Sequence, residues 1–181
     1  MLSKQLKNFS KTSSLLSKSD LRKKLKSIKL LIVDVDGVLT DGGMYYSSTG
    51  DQMKKFNVRD GMGIILLKKI GIKVAVITSE STKIMQFRAK KLKIEDLHQG
   101  SFDKIPAFNK LLTKYNLTTN QAAFIGDDLN DTSLLKIVGL AITPLDGILK
   151  NKNIAHYITA KKGGDGCVRE ICDLLISAQK G

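Results

Sequence analysis

KLLIVDVDGVLTDGG, residues 29–43, joins an apolar run to two aspartates one residue apart and then breaks into glycine. Leu30 to Val33 carry no polar residue, which suits a strand buried on both faces, as in a parallel sheet covered by helices. Asp34 and Asp36 have no place inside such a strand. They mark its carboxyl end, and they raise the question of why carboxylates are mounted there.

Working outward, further β-branched runs appear as IKVAVITS (72–79), QAAFIGDD (121–128) and VGLAIT (138–143). Between and after them lie segments with helical spacing: Gly61 to Ile70, Thr82 to Leu92, Lys104 to Tyr115, Asp131 to Val138 and Gly166 to Ala178. Strand and helix in alternation predict an α/β fold, a Rossmann-like doubly wound parallel sheet with helices on both faces. One segment breaks the rhythm. GGMYYSSTGDQMKKFNV has two extended runs around SSTGD, a β-hairpin inserted directly after the first strand.

The chain has 181 residues, 42% of them hydrophobic, which suits one domain with a sizeable core. No apolar run approaches the roughly 20 residues of a membrane span, and no apolar signal core opens the chain. A cytoplasmic protein with no membrane partner is expected. Cys167 and Cys172, five apart on one predicted helix, suit packing rather than a disulfide or a metal pair. The formal net charge of +13 would ordinarily suggest nucleic acid. Residues 1–29, however, hold nine basic residues and one acid, Asp20, so much of the excess is local. Residues 1–28 read as a mobile basic arm with a short helix near Leu21 to Ser27, ahead of a domain spanning 29–181. A solvated arm is preferred to an anion-binding one, and no nucleic-acid partner is expected.

In open α/β sheets, ligands sit beyond the carboxyl ends of the strands. The predicted strand ends carry Asp34 and Asp36, then Thr78 and Ser79, then Asp127, Asp128 and Asp131. Each alone could be a turn or a helix cap. Converging, these carboxylates would raise one another's pKa unless a cation neutralised them, and oxygen-only ligands select magnesium. Carboxylates around magnesium beside a glycine turn suit phosphoryl transfer, in which an aspartate can itself be the nucleophile.

DVDGVLT, VITS, Lys104 in SFDKIPAF, and GDDLND resemble the four ordered motifs of the haloacid dehalogenase superfamily of phosphatases. The resemblance implies Asp34 as nucleophile and Asp36 as the acid/base that protonates the leaving alkoxide and then activates water. It implies Thr78 and Lys104 as holders of the phosphoryl group. Magnesium would be bound by Asp34, the Asp36 carbonyl and Asp127, with Asp128 and Asp131 binding it or orienting those that do. DVDGVLTDG, FNVRDGMGI, RAKKLKI, GDDLND and KKGGDGCVREIC further resemble the branch that dephosphorylates 2-keto-3-deoxy sugar acids, either 3-deoxy-octulosonate 8-phosphate or nonulosonate 9-phosphates of the sialic acid type. That branch implies no separate cap domain and a homotetramer in which the hairpin, here Gly43 to Val58, helps neighbouring chains roof each active site.

Octulosonate phosphatases of that branch usually carry Gly-Arg after the threonine or serine of the second motif. Here Ser79-Glu80 stands in that place, with Lys91 on the next helix, which resembles the nonulosonate pattern. Eleven residues of helix span roughly 16 Å, so Glu80 would serve its own site and Arg88 or Lys91 a neighbour's. Alternatively Arg88, Lys90, Lys91 and Lys93 form a solvated helix face. Arg59 and Asp60 could line the pocket, Asp60 equally being a helix cap. His98 and His156 read as structural. The glycines of KKGGDG suggest a flexible loop before the last helix, and the resemblance implies that it folds over an active site. Two rival readings are a binding or regulatory module that kept the fold without catalysis, and a nucleic-acid binder using the basic arm.

Overall fold

The computed structural model describes residues 14–180. The parts of the expected basic arm before residue 14 lie outside them. Six parallel strands form one sheet: β1 (Leu30–Val33), β4 (Lys73–Ile77), β5 (Asp96–His98), β6 (Ala122–Ile125), β7 (Leu140–Thr143) and β8 (Tyr157–Ile158), in the order β5-β4-β1-β6-β7-β8. A separate antiparallel ribbon pairs β2 (Tyr45–Ser47) with β3 (Gly50–Met53). It is the hairpin expected after the first strand.

Side chains alternate across the sheet as a strand requires. Leu31, Val33, Val74, Val76, Ala123 and Ile125 face one layer of core, and Leu30, Ile32, Ala75, Ile77, Ala122 and Phe124 face the other. The first layer is closed by α1 (Lys18–Ser27), α2 (Val58–Lys69), α3 (Lys83–Leu92) and α7 (Cys167–Lys180), the second by α4 (Ile105–Tyr115) and α5 (Thr132–Ile137). All four residues of β1 are buried, in keeping with its place in the middle of the sheet.

Three short elements have no counterpart in the expected pattern: β5, β8 and α6 (Leu149–Ile154). Strands of two or three residues and a one-and-a-half-turn helix are too brief to show a period, and DLH and LKNKNI are largely polar. The segment expected to be an arm is in part a structural element. Ser17 caps α1, accepting from the Asp20 N–H at 3.2 Å, and Leu25 and Ile28 are buried in the first core layer. The Gln179 amide donates to the Leu25 and Lys26 carbonyls, tying α1 to α7. Residues 17–28 therefore share the core of the domain expected to start at 29. No helix among the described residues is long and apolar enough to cross a membrane.

Leu25→Ala should lower the unfolding free energy by about 2–5 kcal/mol, the usual cost of emptying a buried leucine site. Denaturant melts of the two proteins check this; a solvated arm would give no measurable change.

Candidate active site

Parallel register sets the site. Val33 pairs with Val76 on one side and Ile125 on the other, so Asp34 follows β1 directly while Thr78 and Asp127 each lie two residues past their paired positions. All three emerge at one edge, where the strand order reverses around β1. They open into a cavity of about 270 Å³. Asp34, Asp36, Gly37 and Gly42 line it from the first loop, Thr78, Ser79 and Glu80 from the second, and Asp127, Asp128 and Asn130 from the loop after β6.

Beneath the cavity lies Lys104, at the start of α4, with no exposed surface. Its Nζ is 2.7 Å from Asp34 Oδ1 and 2.5 Å from Asp131 Oδ1. Asp131 Oδ2 accepts from the backbone N–H of Asp127 at 2.8 Å and of Asp128 at 3.2 Å, which fixes the loop after β6. One oxygen from each of Asp34, Asp127 and Asp131 falls within 4.8 Å of the others. Three carboxylates thus face one ammonium. Burial, then repulsion from Asp131, outweighs the pull of Lys104 and raises Asp34 to about 7. Burial, then Asp34 and Asp131, raises Asp127 to about 8. Burial draws Lys104 down, but Asp34 and Asp131 more than offset it and hold the ammonium above its ordinary value. Asp127 Oδ1 is buried without a hydrogen-bond partner. An unpartnered carboxylate oxygen in an all-oxygen cluster with surplus negative charge fits a hard divalent cation.

Backbone approach completes the site. Gly37 has φ +81°, and a Cβ there would stand 2.0 Å from Asp127 Oδ2, so only glycine lets this turn and that carboxylate coexist. The KKGGDG loop packs against the same turn. A Cβ at Gly163 would lie 1.9 Å from the Gly37 carbonyl oxygen, and the Gly164 N–H donates to the Val38 carbonyl at 2.9 Å. This loop, expected to be flexible, is pinned to the turn that carries Asp36.

Residues 74–171 match a family model described as haloacid dehalogenase-like hydrolase. The chain belongs to the haloacid dehalogenase-like hydrolases. A relative from Yersinia pestis, named 3-deoxy-D-manno-octulosonate 8-phosphate phosphatase KdsC, is 44% identical over 160 residues, covering 88% of this chain and 86% of its own. A crystal structure of 3-deoxy-D-manno-octulosonate 8-phosphate phosphatase from Moraxella catarrhalis, in complex with magnesium, phosphate and KDO, superposes with a TM-score of 0.88 at 40% identity, covering 91% of this chain and 94% of that one. The cobalt-bound phosphatase from Haemophilus influenzae gives a TM-score of 0.85 at 36% identity, covering 87% and 92%.

In this hydrolase not every residue singled out from sequence reaches the cavity. Asp128 lines its rim, but its carboxylate caps the following turn, Oδ1 accepting from the Leu129 N–H at 2.7 Å, and it stands outside the Asp34, Asp127 and Asp131 cluster. Glu80 belongs to the loop before α3 rather than to the helix itself, since Thr82 is the cap. Arg88 is used within its own chain: it donates to the Asn57 carbonyl at 3.1 Å and lies over the Phe56 ring. Lys91 is exposed, beside a second depression shared with Lys68, Lys69 and Lys93, and Arg59 is exposed at the start of α2. Asp60 does not cap its own helix, which Asn57 caps; it is buried and accepts from the Arg169 N–H at the start of α7. His156 Nδ1 accepts from the Ala141 N–H, a structural role, and His98 lies on β5 away from the cavity.

Two site residues escaped the sequence reading. Asn130 lines the cavity and donates to Ser79 Oγ at 2.7 Å. Lys54 reaches Asp36, with Nζ 2.7 and 2.8 Å from its two carboxylate oxygens. Strand-like alternation was the available signal for Lys54, since exposed Met53 and Lys55 flank it.

The raised carboxylates make stability depend on pH. A carboxylate whose folded pKa lies above its unfolded value near 3.8 stabilises the fold at low pH and loses that contribution as pH rises through the folded value, here about 7 for Asp34 and about 8 for Asp127. Melting temperature without divalent cation should fall between pH 5 and 8. Added magnesium should restore it by an increment that grows over the same window, because the ion displaces these protons. Asp127→Asn should flatten both trends; thermal melts across the pH series check it.

Proposed function

We propose that the protein is a magnesium-dependent phosphatase that releases inorganic phosphate from a 2-keto-3-deoxy sugar-acid phosphate, with 3-deoxy-D-manno-octulosonate 8-phosphate as substrate. The observation that carries this reading is Asp34, a strand-end carboxylate 2.7 Å from a buried ammonium and grouped with Asp127 at the floor of an open cavity. The KdsC relatives, alike over most of their length, support the same substrate.

Asp34 attacks phosphorus, and the bond to the sugar oxygen breaks with its electron pair on that oxygen. The Asp36 carboxyl supplies the proton that neutralises the leaving alkoxide. Asp36 then takes a proton from water, whose oxygen attacks the aspartyl-phosphate, freeing phosphate and restoring Asp34. Thr78 and Lys104 hold the phosphoryl oxygens. Thr78 Oγ1 accepts from the Glu80 N–H at 3.3 Å, which leaves its own hydrogen for the anion. Asp34 and Asp127 would hold magnesium, with Asp131 beside them and the Asp36 carbonyl contributing. When bound, the ion supplies positive charge against the phosphoryl oxygens.

Glu80 at the cavity rim favours a second substrate, a nonulosonate 9-phosphate, because this carboxylate stands where octulosonate phosphatases usually place Gly-Arg. We further infer a homotetramer with shared sites. Exposed Tyr45, Tyr46 and Met53 lie on a two-stranded ribbon that is marginal alone and suits burial against neighbouring chains. Arg59 and Lys91, exposed and outside their own chain's cavity, are among the cations that a neighbour's site can draw on. Buried free thiols at Cys167 and Cys172 accord with a reducing cytoplasm.

Phosphate release from a panel of sugar-acid phosphates, with and without magnesium, tests the function. The octulosonate ester should turn over with magnesium only. Asp34→Asn should abolish turnover, and Asp36→Asn should slow it about 10²- to 10⁴-fold. Retained activity in Asp34→Asn overturns the mechanism.

For shared sites, Glu80→Ala and Lys91→Ala should each weaken sugar-acid turnover, and subunit exchange between them should restore part of it. A monomer by sedimentation, or no recovery on mixing, overturns the assembly.

A further inference from the structure

Lys54, the ion-pair partner of Asp36, lies outside the motifs that carry the proposed reaction. The Lys54 side chain is 1% exposed although it comes from the hairpin stem, while Asp36 is 26% exposed at the cavity wall. An almost fully buried ammonium needs a partner, and both carboxylate oxygens of Asp36 supply it at 2.7 and 2.8 Å. The stem itself is tightly held. Phe56 pairs with Thr40 in an antiparallel bridge, and Lys55, pointing the other way, meets Asp41 at 2.7 Å. Thr40 Oγ1 lies 3.5 Å from Asp36 Oδ1. The turn after β1 and the stem after β3 are thus stitched together, with Lys54 as the inward stitch.

We propose that Lys54 is the positioning residue for the acid/base Asp36: the hairpin stem, through this two-point ion pair, sets where that carboxyl stands relative to the leaving oxygen. This rests on the phosphatase reading given above. Without the ammonium, Asp36 is free to rotate about its side-chain bonds toward solvent. Misplacement of a catalytic group by about 1 Å can cost on the order of 10²-fold in rate. A carboxyl holding a proton on one oxygen still accepts from Lys54 on the other, so the restraint persists through transfer to the leaving oxygen. Lys54 donates no proton in this scheme and serves neither phosphorus nor the leaving oxygen directly; it acts through Asp36.

The test separates aiming from folding. Lys54→Met keeps the length and apolar stem of the side chain but removes the charge. The quantity to measure is kcat/KM, which covers steps up to phosphoryl transfer, on a sugar-acid phosphate and on p-nitrophenyl phosphate. The alkoxide of the sugar needs a proton to leave, whereas p-nitrophenolate does not. Lys54→Met should cut kcat/KM about 10²-fold on the sugar ester and under about tenfold on the aryl ester, because general-acid catalysis serves only the first. Lys54→Arg, which keeps a two-point donor, should recover part of the loss. In an Asp36→Asn background, Lys54→Met should add little, since its effect passes through the group already removed. Equal losses on both esters, additive losses in the double mutant, or no loss at all would overturn the assignment. If the unmodified protein releases no phosphate from either ester with magnesium present, the phosphatase reading itself falls, and the role of Lys54 with it.

Discussion

At the carboxyl edge of the sheet, two buried carboxylates, Asp34 and Asp131, pair with one buried ammonium while the half-buried Asp127 crowds the same group. That imbalance is the constraint around which the loops are built. Asp131 is drawn inward by Lys104 and by two backbone N–H groups, and so it shapes the turn after β6. Asp34 is held at the end of a strand that cannot move without disturbing both layers of core. Asp127 is left with an oxygen no protein group satisfies. A rigid frame that keeps repelling charges together stores binding energy for a cation and for a phosphoryl group stabilised by it.

Close backbone packing serves the same end. Gly37 permits the turn to pass against Asp127, and Gly163 lets the loop before α7 lie on that turn. Side chains at these positions would push apart the strand ends whose proximity creates the site. The buried Asp60 carboxylate, accepting from the first turn of α7, anchors the other end of this contact.

Much of this was legible in the sequence, because the long signals are local. The apolar runs at 30–33, 74–77, 122–125 and 140–143 each spell a covered parallel strand, and DVDG and GDDLND sit at strand ends where aspartate has no packing role. What could not be read depends on long-range geometry. Lys54 meets Asp36 across 18 positions only because the stem folds back, and alternation over three residues does not say which partner an inward lysine meets. Arg88 resembled a substrate contact by its place in RAKKLKI, but tertiary packing takes its guanidinium to the Asn57 carbonyl and the Phe56 ring. The short helix near Leu21 to Ser27 was legible, but the basic composition of residues 17–28 hid that Leu25 and Ile28 complete the core, since two buried side chains barely alter a segment's mean polarity.

The closed neck of the hairpin has a consequence for how such a protein can change. Thr40 and Phe56 are paired, so the ends of the ribbon are already brought together by the domain beneath. The entropy of closing a loop grows only slowly with its length, and here the two ends are juxtaposed whatever lies between them. The ribbon can therefore lengthen, shorten or be exchanged for a larger module with little penalty to the sheet, while everything grafted there still rises from the rim of the same cavity. Variation in what covers the site is in this way separated from the chemistry at its floor.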